Sequence, residues 1–208
     1  MQLNSALECL KTPTGLNFGQ IALARLETWI TAPETEGVEW GQVKSCLFVR
    51  LTTKDGLYDC SEAFVLPYRE KAVAEIIHAL GCSASKLKSI SPWIFRDLAK
   101  QAAARHQSSE FSAAGSALEM ALWDILGKLL NARLCDLLGG NHNRAIPIYG
   151  NIWNTTQWDV ASLETRATDL VAEGYRAIKI HPMLNHTAQD AANCVNQVRA
   201  AIGGDIAL

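Results

Sequence analysis

The sequence has no Cys-x-x-Cys pair. Its six cysteines are Cys9, Cys46, Cys60, Cys82, Cys135 and Cys194, and the closest two are 14 residues apart. That spacing excludes a zinc ribbon and a thioredoxin-type site. It reads instead as buried thiols in a reducing cytoplasm. No apolar run reaches the roughly 18–20 residues that cross a bilayer. The first twenty residues hold no sustained apolar stretch either, so neither a membrane span nor a secretory signal is expected. There is no positive excess: 19 Lys and Arg stand against 21 Asp and Glu, a net charge of −2. A nucleic-acid binder usually shows a basic surplus. Nucleic acid and membrane are thus not the expected partners, and the cytoplasm is the expected compartment. No internal repeat and no low-complexity stretch is found.

What is present is a core-forming composition, 49% hydrophobic and 19% charged over 208 residues. Such a chain is globular. A domain takes about 100–200 residues, so the length allows one large domain or two small ones. Residues 1–19 lack a clear period and read as a leader.

Residues 20–30 read as a strand. Residues 31–44 carry Pro33, Gly37 and Gly41 and read as a loop. Residues 45–53 alternate and are β-rich. Lys54-Asp55-Gly56 supplies a hairpin turn, and residues 57–64 return. Three strands joined this way form an antiparallel meander. A helix is expected over 68–80, with Val73, Ile76, Ile77 and Leu80 on one face and Gly81 as its C-terminal cap. Pro92 opens another helix. The longest helix, about 111–130, is apolar nearly all round and should be buried on most sides. A short helix at 134–138 stops at Gly139-Gly140.

From residue 144 the pattern changes to β-α-β-α-β. Strands are expected at 145–150, at 176–181 and from 205. Helices are expected at 160–173 and, opened by a Thr187–Asp190 capping box, from 188 to 202. Strands so connected are parallel. A complete (β/α)₈ barrel takes about 250 residues, so these residues are expected to form either a small open sheet or the front part of something larger.

Several motifs in order identify that larger structure. They are Ala22 and Arg25-Leu26-Glu27-Thr28-Trp29, then Val49-Arg50-Leu51-Thr52-Thr53, Asp55-Gly56 and Glu62-Ala63. The strongest is Ala121-Leu122-Trp123-Asp124-Ile125-Leu126-Gly127-Lys128, followed by Leu137-Leu138-Gly139-Gly140. Ile148-Tyr149 and Glu173-Gly174-Tyr175-Arg176-Ala177-Ile178-Lys179 complete the set. In these, from about residue 20 onward, the chain resembles the mandelate racemase and muconate-lactonising branch of the enolase superfamily. The resemblance implies an α+β capping domain over 20–143. An incomplete (β/α)₇β TIM-like barrel over 144–208 would follow, truncated as its third strand begins.

The resemblance also implies a chemistry. The family removes the proton α to a carboxylate and stabilises the enediolate with Mg²⁺ and a Lys or His base. The family's second barrel strand ends in Lys-x-Lys, and here the matching triplet is Lys179-Ile180-His181. Residues i and i+2 of a strand face one side, so Lys179 and His181 are expected to point together into the barrel mouth. Lys179 would sit near the substrate carboxylate. His181 would hold the base position, where an imidazole changes charge near neutrality. The departure from Lys-x-Lys leaves the base, and the choice between dehydratase and racemase, open. The metal ligands belong to the third to fifth strand ends, so none is assigned, and Mg²⁺ is not expected to bind tightly here. Asn151 and Trp153 follow the first barrel strand, and Trp40 lies in the loop matching the family's specificity loop. Asn151 and Trp40 are the candidate substrate contacts. Asp124, within an apolar helix, is read as structural and bonded to a Lys or Arg.

Two classes of function follow. One is the N-terminal portion of a Mg²⁺-dependent acid-sugar dehydratase, or of a related racemase, epimerase or cycloisomerase, acting on a small carboxylate substrate. It would form a homo-oligomer and be inactive as this chain alone. The other is a non-catalytic truncated product that persists as a cap-domain oligomer.

Overall fold

The computed structural model describes residues 21–31, 44–104, 108–140, 145–152, 160–182 and 187–208. They fall into two compact units, divided between Asn141 and His142.

The first unit begins with three strands, β1 (Leu23–Thr31), β2 (Cys46–Thr53) and β3 (Tyr58–Ala63). They pair antiparallel in the order β1-β2-β3. Alternation fixes the faces: Leu47, Val49, Leu51 and Thr53 of β2 are buried, while Phe48 between them is exposed. Period two puts every second residue on the core side. The turn closes with the Thr53 N–H donating to the Leu57 carbonyl at 2.8 Å and the Gly56 N–H to the Thr53 carbonyl at 3.1 Å. Gly56 adopts φ +88°, a left-handed conformation that glycine supplies without steric cost.

Four helices follow: α1 (Glu70–Ser85), α2 (Pro92–Ala103), α3 (Ser109–Leu130) and α4 (Leu134–Leu137). Ser91 caps α2 and Ser108 caps α3, each accepting a backbone N–H from inside the first turn. Such caps satisfy donors that the helix leaves open. One core joins Val49, Leu51, Ile77, Phe95, Leu118, Leu122 and Ile125. Thr28 hydrogen-bonds His78 at 3.0 Å, tying β1 to α1. The Ser61 hydroxyl donates to the Ala117 carbonyl at 2.7 Å, tying β3 to α3.

The helix expected to stop at Gly81 continues to Ser85. Gly81 lies inside the helix, where a Cβ would touch the tip of the Leu26 side chain of β1. The glycine marks a contact with the strand and not the end of the helix. The long helix α3 is buried along one side only; Ser116, Met120, Asp124 and Lys128 are exposed.

The second unit holds β4 (Gly150–Asn151), α5 (Val160–Ala172), β5 (Ile178–Lys179) and α6 (Ala188–Ile202). β4 and β5 pair in parallel, and Ala177 bridges Ala207 in parallel. The parallel β-α-β order is as expected, but the paired segments are far shorter. Residues 145–149 are exposed and carry no regular pairing; Pro147 among them has no N–H to donate. The 176–181 segment pairs only at 177–179. The Thr187–Asp190 capping box is formed.

The buried-thiol expectation holds for Cys194 alone among the described cysteines. Cys60, Cys82 and Cys135 are exposed and Cys46 is half-buried, all as free thiols. The exposed ones sit at polar strand and helix positions, where nothing packs over them. Among the described residues no helix is long and apolar enough to cross a membrane.

Candidate functional site

The parallel pair β4–β5 sets the geometry. The Gly150 N–H donates to the Ala177 carbonyl and the Ile152 N–H to the Lys179 carbonyl, each at 2.9 Å. Asn151 and Lys179 are direct register partners. Their neighbours Ile152 and Ile178 are buried with Leu163, Ala167 and Leu170 of α5 and Cys194, Val198 and Ile202 of α6. Helices cover that face, so alternation turns Asn151 and Lys179 to the other, where both are exposed. Gly150 allows α5 to approach: a Cβ there would meet three atoms of Leu170 at 2.6–3.2 Å.

Lys179, His181 and Asn151 have definite positions. Lys179 is the last paired residue of β5 and borders a groove of about 570 Å³ with Tyr149, Pro182 and Leu208. His181 lies two residues beyond the ladder and is half-buried. It does not line that groove, and neither does Asn151. Strand alternation stops at Lys179, so the i, i+2 rule no longer fixes the direction of His181. Trp40 and Trp153 lie outside the described residues. Tyr149, to which the sequence reading gave no site role, shares the groove with Lys179; its two-residue offset from Asn151 was the available signal.

Burial pushes the Cys194 thiol up, and the charge of Glu164 adds to this. A raised thiol is a poor nucleophile, which fits a core residue. Among the described residues no three His, Cys, Asp or Glu side chains gather as a metal site. Asp124 has the expected structural partner, Lys128 Nζ, at 3.5 Å.

Several known proteins are similar to this chain. The family described as mandelate racemase / muconate lactonizing enzyme, N-terminal domain, matches residues 22–139. A D-gluconate dehydratase of Thermoproteus tenax is 28% identical over 203 residues, covering 92% of this chain and 39% of that protein. A D-mannonate dehydratase of a Sphingomonas species is 31% identical over 134 residues, covering 64% of this chain and 32% of that protein. Among solved structures, an enolase from environmental sequencing of the Sargasso Sea is 32% identical with a TM-score of 0.75. That match covers 88% of this chain and 48% of the other. The matches span 32–48% of the length of these relatives.

Proposed function

The chain belongs to the mandelate racemase / muconate lactonizing enzyme family of the enolase superfamily, and from that premise we propose that it is the N-terminal portion of an acid-sugar dehydratase. It would supply the cap and the first β/α units of the barrel. The placement of Lys179 carries this reading: a strand-end ammonium, in register with Asn151, on the face the helices leave open. Active groups of such barrels sit at the C-terminal ends of strands. Relatives whose names include D-gluconate and D-mannonate dehydratase support a polyhydroxy acid as substrate.

In the proposed reaction Lys179 pairs with the substrate carboxylate. Its charge favours the enediolate, whose negative charge grows as the α-proton leaves. The His181 imidazole takes that proton, and the C–H electron pair moves into the carboxylate system. The β-hydroxyl then leaves as water, carrying the proton back from the imidazolium, and the resulting enol becomes a 2-keto-3-deoxy acid. Asn151 and Trp40 would contact the substrate hydroxyls. Superfamily members generally use Mg²⁺. The described residues include no ligand set for it, so no step is assigned to a metal.

The test uses the protein that carries this chain, incubated with D-gluconate and D-mannonate in D₂O. His181→Asn should abolish α-proton exchange. Lys179→Met should raise KM and lower kcat together. Exchange that survives His181→Asn would remove His181 as base. Exchange without water loss in the parent protein would favour a racemase instead.

A further inference from the structure

β3 is an edge strand: among the described residues it pairs only with β2. The Thr53–Leu57 bond and the register fix which of its groups face outward. Leu57, Asp59, Ser61 and Ala63 point their backbone groups at β2. Tyr58, Cys60 and Glu62 point theirs away. An exposed edge of this kind is a template for another strand, and proteins guard such edges with lysines and inward-pointing charges.

Here both devices meet. Asp59 points inward beneath α3, with only 12% of its side chain exposed. Lys128, near the end of α3, bonds Asp59 Oδ2 at 2.5 Å and also donates to the Tyr58 carbonyl at 3.2 Å. Asp59 Oδ1 turns back and accepts the Cys60 N–H at 2.6 Å. Two adjacent edge groups, the Tyr58 C=O and the Cys60 N–H, are therefore taken by side chains and not by a strand. Asp124 flanks the pair, 3.5 Å from Lys128. Burial would raise the Asp59 carboxyl, but hydrogen bonds from Asp124, Lys128 and the Cys60 N–H outweigh it and hold it low. The Asp59 carboxylate holds Lys128 over the edge as an ion pair. Beyond Cys60 no such guard continues among the described residues, and Glu62 and Phe64 are exposed.

We propose that Asp59 and Lys128 form a guard that keeps the free edge of β3 from pairing with the same edge of a second copy of this chain.

Sedimentation velocity of the chain, compared with its variants, tests this. Lys128→Met should add a heavier species, with self-association tightened by about tenfold. Asp59→Asn should do the same by putting an amide NH2 where Oδ2 accepts from Lys128, which frees the lysine and the Tyr58 carbonyl, and it provides a second opening should Lys128→Met fail to fold. Glu62→Pro in either background should remove the heavier species, because proline lacks the N–H that faces outward at this position. Asp124→Asn should sediment like the parent. The proposal is overturned if folded Lys128→Met and Asp59→Asn sediment like the parent. It is equally overturned if their heavier species survives Glu62→Pro.

Discussion

The two units solve the same problem with different amounts of material. In the first, strands of six to nine residues form a complete ladder, and helices of up to 22 residues close over it. In the second, each strand contributes two paired residues, and helices α5 and α6 supply most of the burial. An antiparallel meander needs only hairpins to bring its strands together, so local sequence suffices to complete it. A parallel pair needs a crossover and both faces covered. Here one face of β4–β5 packs on helices and the other carries Asn151 and Lys179 in the open. The first unit puts its residues into a packed core; the second leaves one strand face open.

The largest expected effect breaks the first core. Leu122 is fully buried in α3 within the cluster that joins all the layers of its unit. Leu122→Ala should destabilise that unit by about 2–5 kcal/mol. Leu163→Ala, at 3% exposure in the smaller core of the second unit, should fall at the low end of that range, because fewer neighbours hold the cavity open. Hydrogen exchange of the amides of each unit measures both. Equal losses would erase the contrast between a dense core and a thin one.

Next come the glycines, which sharpen the comparison at single contacts. At Gly81 an added methyl meets one atom, the tip of half-buried Leu26, with the next at 3.6 Å. Alanine also favours a helix interior by about 1 kcal/mol over glycine, so Gly81→Ala should be close to neutral. At Gly150 the methyl meets Leu170 at three atoms within 3.2 Å, and Leu170 is itself buried. Gly150→Ala should lose about 1–3 kcal/mol by overpacking and disturb the register of Asn151 with Lys179. Thermal melts read the first effect, and the amide shifts of residues 150–152 read the second. A neutral Gly150→Ala would mean that α5 is looser on the strands than its contacts indicate.

The same contrast explains what could be read from sequence. Leu47, Val49 and Leu51 alternate with polar or exposed residues, and that pattern alone carries β2 and its register. The Thr187–Asp190 box likewise marks the start of α6 correctly. Gly81 misled because a glycine after an apolar helix face looks the same in sequence whether the helix ends there or continues, and only the structure separates the two. Residues 145–149 misled because β-favouring residues pair only where a partner strand is present. Lys179 was reached through its motif, and its exposure follows from alternation against Ile178. The direction of His181 was not legible, since alternation ends with the ladder. Asp59 was invisible as a partner of Lys128 because their sequence separation is 69 residues.

A smaller effect concerns the start of α6. Thr187 accepts the Asp190 N–H at 3.2 Å while Asp190 accepts the Thr187 N–H at 3.3 Å. By contrast, α1 has no side-chain cap and relies on the packing of Val73, Ile77 and Leu80. Thr187→Ala should cost about 1 kcal/mol. The loss should appear as faster exchange in the first turn of α6. A cap-free α6 with unchanged exchange would show that packing alone fixes its start, as it does for α1.

The smallest effect lies at the start of α3 and is a pH effect. Glu110 sits in the first turn, and its carboxyl is held down to about 2 against an ordinary 4.5. Its own backbone N–H contributes most, followed by Arg69, Ser109 and Ser108. The Arg69 contact is 2.5 Å. Because the folded state lowers this pKa, the carboxylate stabilises the fold above pH 4.5, and that contribution fades as pH falls toward 2. Both partners are partly exposed and screened by solvent, which keeps the effect small. Glu110→Gln should lower Tm by about 1–3 °C at pH 7. The gap should begin to close below pH 4.5 and vanish near pH 2. Salt should narrow it at neutral pH without abolishing it, since the backbone and serine hydrogen bonds are not ionic pairs. A gap that stays constant down to pH 2 would show that Glu110 acts through packing and not through its charge.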